Sequence, residues 1–96
     1  MHSELYEKSG SELIRELGKR FSTYRKRMGY TQKDISEKSG LSVFTISTFE
    51  NGASTGITFS SLIKLLRAIN YLEEIEKLLP PLPDSPRELY KKLNKK

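Results

Sequence analysis

Residues able to make or break covalent bonds are scarce in this sequence. It has no Cys, which excludes a thiolate nucleophile, a zinc–thiolate site and a disulfide framework. The single His is His2, beside Met1, where a fraying terminus cannot hold a catalytic triad or a His-based metal site. Glu73, Glu74 and Glu76 form the densest carboxylate group, but no His and no metal-ligand set accompanies them, so they read as a solvated helix face. No Gly-rich phosphate loop is present. Catalysis, a metal and a cofactor are therefore not expected. What remains is the chemistry of reversible contact. The 17 Lys and Arg outnumber the 12 Asp and Glu, giving +5 over 96 residues. The excess is uneven: residues 11–29 carry +4 and residues 80–96 carry +3. Such clusters fit nucleic acid, an acidic membrane surface or an acidic partner protein. Arg20, Lys26, Arg27 and Lys33 could each neutralise a phosphate, a contact that is salt-dependent and indifferent to sequence.

The elements that would position these groups follow from apolar spacing. Leu13, Ile14, Leu17, Phe21, Tyr24 and Met28 recur at steps of three and four, which predicts a helix over 11–28 stopped by Gly29, with Gly18 a mild cost inside it. Thr31 is an N-cap with Asp34 three residues on, opening a helix from Gln32 to Ser39. Ile35 points inward there, and Ser36 and Ser39 are small enough to let another helix approach. Gly40 ends it, and Ser42 caps the next helix, Val43 to Glu50, with Ile46 and Phe49 inward. Thr58 caps a helix from Phe59 to Ile69, and apolar Leu72, Ile75, Leu78 and Leu79 predict another over 72–79. Pro80, Pro81 and Pro83 make an extended connector, and Ser85-Pro86 opens a short basic helix to Leu93.

The organisation is thus a flexible segment 1–10, one helical domain 11–79, and a Pro-rich connector with a basic C-terminal helix or tail over 80–96. Residues 1–20 lack the apolar run of a signal peptide. The most apolar stretch, Phe59 to Leu72, contains Lys64, Arg67 and Asn70 and is too short to span a bilayer. A cytoplasmic protein without a membrane partner is expected.

Two short helices joined by a Gly-containing turn can seat the second helix in a DNA major groove. Residues 31–52, TQKDISEKSGLSVFTISTFENG, have that organisation. They resemble the helix-turn-helix of the Xre or Cro and phage-repressor family at Thr31-Gln32, Ile35-Ser36, Gly40-Leu41-Ser42, Ile46-Ser47, Phe49-Glu50 and Asn51-Gly52. The resemblance covers about residues 11–79. It implies an all-α, five-helix, lambda-repressor-like DNA-binding domain, here with a Pro-rich C-terminal extension. It further implies that Val43, Phe44 and Thr48 face base edges, with Thr45 and Ser47 close to the DNA. Gln32 and Lys33 would lie near a phosphate at the start of their helix, with Gln32 also bracing base-facing side chains. Asn51 and the backbone through Ser54 and Thr55 would hold the next phosphates. Arg25 and Glu50 would form a partly buried ion pair that orients the helix beginning at Val43. Val43 and Phe44 are unusual at reading positions, where amide and Arg side chains are common, and they fit thymine methyl groups. The other reading of Phe44 is that it folds back onto the core.

A single domain of this kind reads few base pairs, so a homodimer on double-stranded DNA is expected, with Leu72, Ile75, Leu79, Leu82, Leu89 and Tyr90 as its interface. The tail LLPPLPDSPRELYKKLNKK is similar to that of the HipB-like antitoxins, which implies a repressor that also binds a toxin such as a HipA-type kinase. The competing expectation is a protein-interaction module of the same fold. Steep loss of DNA binding with added salt separates the two.

Overall fold

The computed structural model describes residues 2–94, the first two by their backbone. The side chain of His2, and Lys95 and Lys96, lie outside the described residues. Seven helices and no strand occur among those described: α1 (His2–Glu7), α2 (Gly10–Arg27), α3 (Gln32–Ser39), α4 (Val43–Glu50), α5 (Phe59–Ala68), α6 (Glu74–Leu78) and α7 (Pro86–Leu93). The five helices expected of the domain are α2 to α6, and the short C-terminal one is α7. The segment 1–10, expected to be flexible, includes α1. This helix stops before Ser9, whose Oγ accepts the Glu12 N–H at 3.1 Å and caps α2.

Helix α6 is shorter than its apolar pattern, for two local reasons. At its start, Asn70 takes φ 65° and Glu73 gives no side-chain cap, so Leu72 lies in a turn. At its end, Leu79 precedes Pro80, whose ring disfavours helical backbone, and Leu79 adopts φ −151°.

Phe21, Ile35, Ile46, Phe49, Leu65, Ala68 and Ile69 form the buried core, drawn from α2, α3, α4 and α5 with the α5 C-cap. Helix α4 packs on α2 and α3, and α3 packs on α5. Gly18 makes the α2–α4 contact possible: a Cβ there would stand 2.0 Å from the Phe49 carbonyl oxygen. Tyr24 and Met28, predicted on the inward stripe, are exposed at the edge of α2. The tail does not join the core. Residues 80–94 are exposed, and the radius of gyration is 17.9 Å, against about 12–13 Å for a compact chain of this length.

Candidate nucleic-acid interface

The turn between α3 and α4 is built from side chain to backbone. Thr31 Oγ1 accepts the Asp34 N–H at 3.0 Å and Asp34 Oδ2 accepts the Thr31 N–H at 2.8 Å, closing a capping box on α3. These hydrogen bonds hold the Asp34 carboxyl below its ordinary range. Gly40 takes φ 79°, the left-handed conformation that ends α3. Ser36 Oγ donates to the Leu41 carbonyl at 2.6 Å and Ser39 Oγ accepts the Leu41 N–H at 3.1 Å. The two serines therefore also fix the turn. Ser42 Oγ accepts the Thr45 N–H at 3.1 Å and starts α4.

The inner side and the C-terminal end of α4 are held. Ile46 and Phe49 are buried, and Phe49 lies against Phe21 with ring centroids 5.9 Å apart. At the C-terminal end, Glu50 accepts Arg25 Nε at 2.7 Å and Arg25 Nη2 at 2.8 Å, while Arg25 Nη1 donates to the Tyr30 carbonyl at 2.8 Å. Burial alone would raise the Glu50 carboxyl. Hydrogen bonds from Arg25, Gln32 and Ser22 outweigh it and hold the group below its ordinary range. The same contact raises Arg25 further. Gln32 Nε2 donates to Glu50 Oε1 at 3.1 Å, so its bracing is directed at this ion pair and not at the outer side chains of α4.

With its inner side fixed, α4 presents Val43, 42% exposed, and Phe44, 76% exposed. Phe44 does not fold back onto the core. Thr48 Oγ1 lies 2.9 Å from the Phe44 carbonyl and 3.2 Å from that of Thr45. Both partners are acceptors, so the single hydroxyl proton is directed into the helix, and Thr48 has its methyl group and oxygen lone pairs for other contacts. Thr45 Oγ1 lies 2.9 Å from Ser42 Oγ. The front of α4 is consequently poor in free donors and rich in carbon. Beside it, Phe44, Thr45 and Thr48 line an open groove with Ala53, Ser54 and Thr58.

The predicted phosphate residues differ in exposure. Lys33, Asn51 and Ser54 are exposed, and Gln32, Ser47 and Thr55 are half-buried. Asn51 Oδ1 accepts the Ala53 N–H at 2.8 Å, leaving its amide hydrogens as donors. Ser54 N–H donates to the Thr48 carbonyl at 3.1 Å, which ties the loop to α4. The exposed Arg15 was not anticipated. Its aliphatic stem packs on Gly52, where a Cβ would lie 3.2 Å from Arg15 Cγ, so it brings a cation to the turn after α4. Only the basic charge of residues 11–29 hinted at it. Arg20, by contrast, lines a different groove, between α2, α5 and α6. Of the expected dimer residues, Leu72 and Ile75 are half-buried, while Leu79, Leu82, Leu89 and Tyr90 are exposed.

A short helix anchored on one side and bared on the other, behind a capped tight turn, is the working part of a helix-turn-helix. A family model described as helix-turn-helix matches residues 22–76. The chain belongs to the Xre/Cro-type helix-turn-helix family. Its all-α fold is therefore lambda-repressor-like, and it is a DNA-binding protein of a typically non-enzymatic family. No curated protein and no solved structure matches the chain. No helix among the described residues is long and apolar enough to cross a membrane.

Proposed function

We propose that this protein is a sequence-specific transcriptional repressor that binds double-stranded DNA as a homodimer and reads the major groove with α4. The observation that carries the reading is the apolar front of that helix, Phe44 at 76% exposure beside Val43, on a helix whose other side is fixed by buried groups. Val43, Phe44 and the Thr48 methyl meet base edges, with Thr45 and Ser47 close by. Gln32, Lys33, Asn51, Ser54, Thr55 and the newly found Arg15 flank them at the phosphates. Carbon surfaces of this kind recognise the C5-methyl of thymine.

The test is binding to DNA from the protein's own promoter, with thymine replaced by uracil one position at a time. Loss of one buried methyl weakens binding by about 0.8 kcal/mol, roughly fourfold. Phe44→Ala should abolish that discrimination at the position Phe44 touches. If uracil is tolerated everywhere, α4 does not read methyl groups.

The antitoxin reading, with a toxin such as a HipA-type kinase as second partner, draws support from residues 80–94, which are exposed and contribute nothing to the α4 front. A tail-deleted chain should then fail to neutralise a toxin in co-expression and, without α7, should bind operator DNA only weakly, as a monomer.

A further inference from the structure

The groove between α2, α5 and α6 is lined by none of the residues assigned to the DNA contact in the preceding section. Its wall is apolar, with Leu17, Phe21 and Tyr24 from α2, Leu62 and Leu66 from α5 and Leu78 from α6, around a volume of about 310 Å³. An apolar cavity of about 150 Å³ accepts a benzene ring, so this one has room for two or three large side chains. Tyr24 packs edge-on against Tyr71, with centroids 4.9 Å apart, and stays 45% exposed.

Helix α7 has the complementary property. Leu89, Tyr90 and Leu93 fall on one stripe at steps of one and three, and are 47%, 69% and 82% exposed. A lone helix of eight residues is marginal in water, so α7 needs a surface to hold it. We propose that α7 of one protomer seats its Leu89–Tyr90–Leu93 stripe in the α2/α5/α6 groove of a second copy, reciprocally. The proposal rests on the homodimer of the preceding section and specifies its interface.

Two observations favour the second copy. The chain leaves its own groove at Leu78, a wall residue, and runs through Pro80, Pro81 and Pro83. Residues 80–85 would extend about 19 Å in polyproline form, and no residue of α7 lines the groove of its own chain. Charge also fits. Glu73, Glu74 and Glu76 lie in or beside α6, whereas α7 bears Arg87, Lys91 and Lys92 against Glu88 alone. Arg20, Glu74 and Lys77 also line the groove; Glu74 pairs with Lys77 and Lys92 with Asp84, so Glu73 and Glu76, beside the groove, are the acids left to complement Arg87 and Lys91. Exchange about a two-fold axis uses each surface once per protomer.

The chain has no Cys, so an introduced pair reports one contact. The full chain carrying Tyr24→Cys and Leu89→Cys should form a disulfide-linked dimer on mild oxidation. An internally bridged monomer, with α7 closed on its own groove, would overturn the proposal, as would the absence of any bridge. Sedimentation equilibrium supplies the second measurement. Leu89→Glu with Leu93→Glu alters only exposed side chains, leaves the core folded, and should weaken the dimer about thirtyfold or more, the loss expected of one interface hot spot. A dimer indifferent to this variant overturns the exchange and leaves the homodimer standing. A monomeric wild-type chain overturns both.

Discussion

Glu50→Gln would leave the Arg25 guanidinium stranded. Arg25 is 7% exposed, and the ion-paired side chains are 9% and 6% exposed, so water cannot replace the lost carboxylate. The amide keeps the size of the side chain and one acceptor but removes the charge and half of the two-pronged contact. Breaking a buried pair from one side costs about 3–5 kcal/mol. In a domain of this size each kcal/mol lowers Tm by about 4–8 °C, so Tm should fall by roughly 12 °C or more. Removing both charges, as in Arg25→Met with Glu50→Leu, also removes the desolvation penalty. It still leaves the Tyr30 carbonyl without its donor, at about 1–3 kcal/mol. The double variant should therefore melt above Glu50→Gln. It should nevertheless bind operator DNA less well than wild type, because the C-terminal end of α4 has lost its tether to α2. Thermal unfolding followed by circular dichroism, in low and in high salt, measures the first effect, and a buried pair should be little screened. A Glu50→Gln melt within about 4 °C of wild type would refute the buried-charge reasoning.

Other consequences are open to equally direct measurement. Gly18→Ala should gain about 1 kcal/mol of helix propensity yet destabilise overall, because its Cβ meets the Phe49 carbonyl, a backbone atom that no rotamer change can move. A urea midpoint above wild type would show that α2 and α4 are not so close. Glu50 is held below its ordinary range in the folded state, so its contribution is present above the unfolded value of about 4.3 and is lost as pH falls through the lower folded value. The urea midpoint should thus be flat from neutral pH to about pH 5 and fall below that, with a shallower fall in Glu50→Gln. Arg15→Ala should weaken all DNA sequences alike and reduce the slope of log affinity against log salt by about 0.9. An unchanged slope would remove Arg15 from the phosphate contacts.

The α3–turn–α4 unit was legible because its determinants are local. Thr31 with Asp34, Gly40, and Ser42 are caps and stops whose partners lie within a few residues, and Ile46 with Phe49 mark the inner side by spacing alone. The ion pair between Arg25 and Glu50 was legible only through resemblance, since nothing local joins residues 25 apart. Gly18 looked like a defect because its benefit is the approach of a different helix. Arg15 was hidden for the same reason: its neighbour Gly52 is adjacent only after folding. The early end of α6, in contrast, was readable. Leu79 stands before Pro80, and that alone argues against a helix through it. The hydroxyl of Thr48 teaches a further point. Its residue type offered a donor, and the helix it sits in takes that donor for its own carbonyls.

The groove beside α4 and the groove between α2, α5 and α6 share no lining side chain. Substitutions at the exposed Phe44 or at Thr48 therefore leave the lining of the other groove unaltered, the two meeting through the buried Phe21–Phe49 contact. After a gene duplication, a daughter chain can drift to a new operator through Phe44 and Thr48 while its remaining surfaces stay unchanged. If the tail exchange holds, parent and daughter still assemble, and the mixed pair recognises a site with two unlike halves. Two regulators then yield three binding specificities.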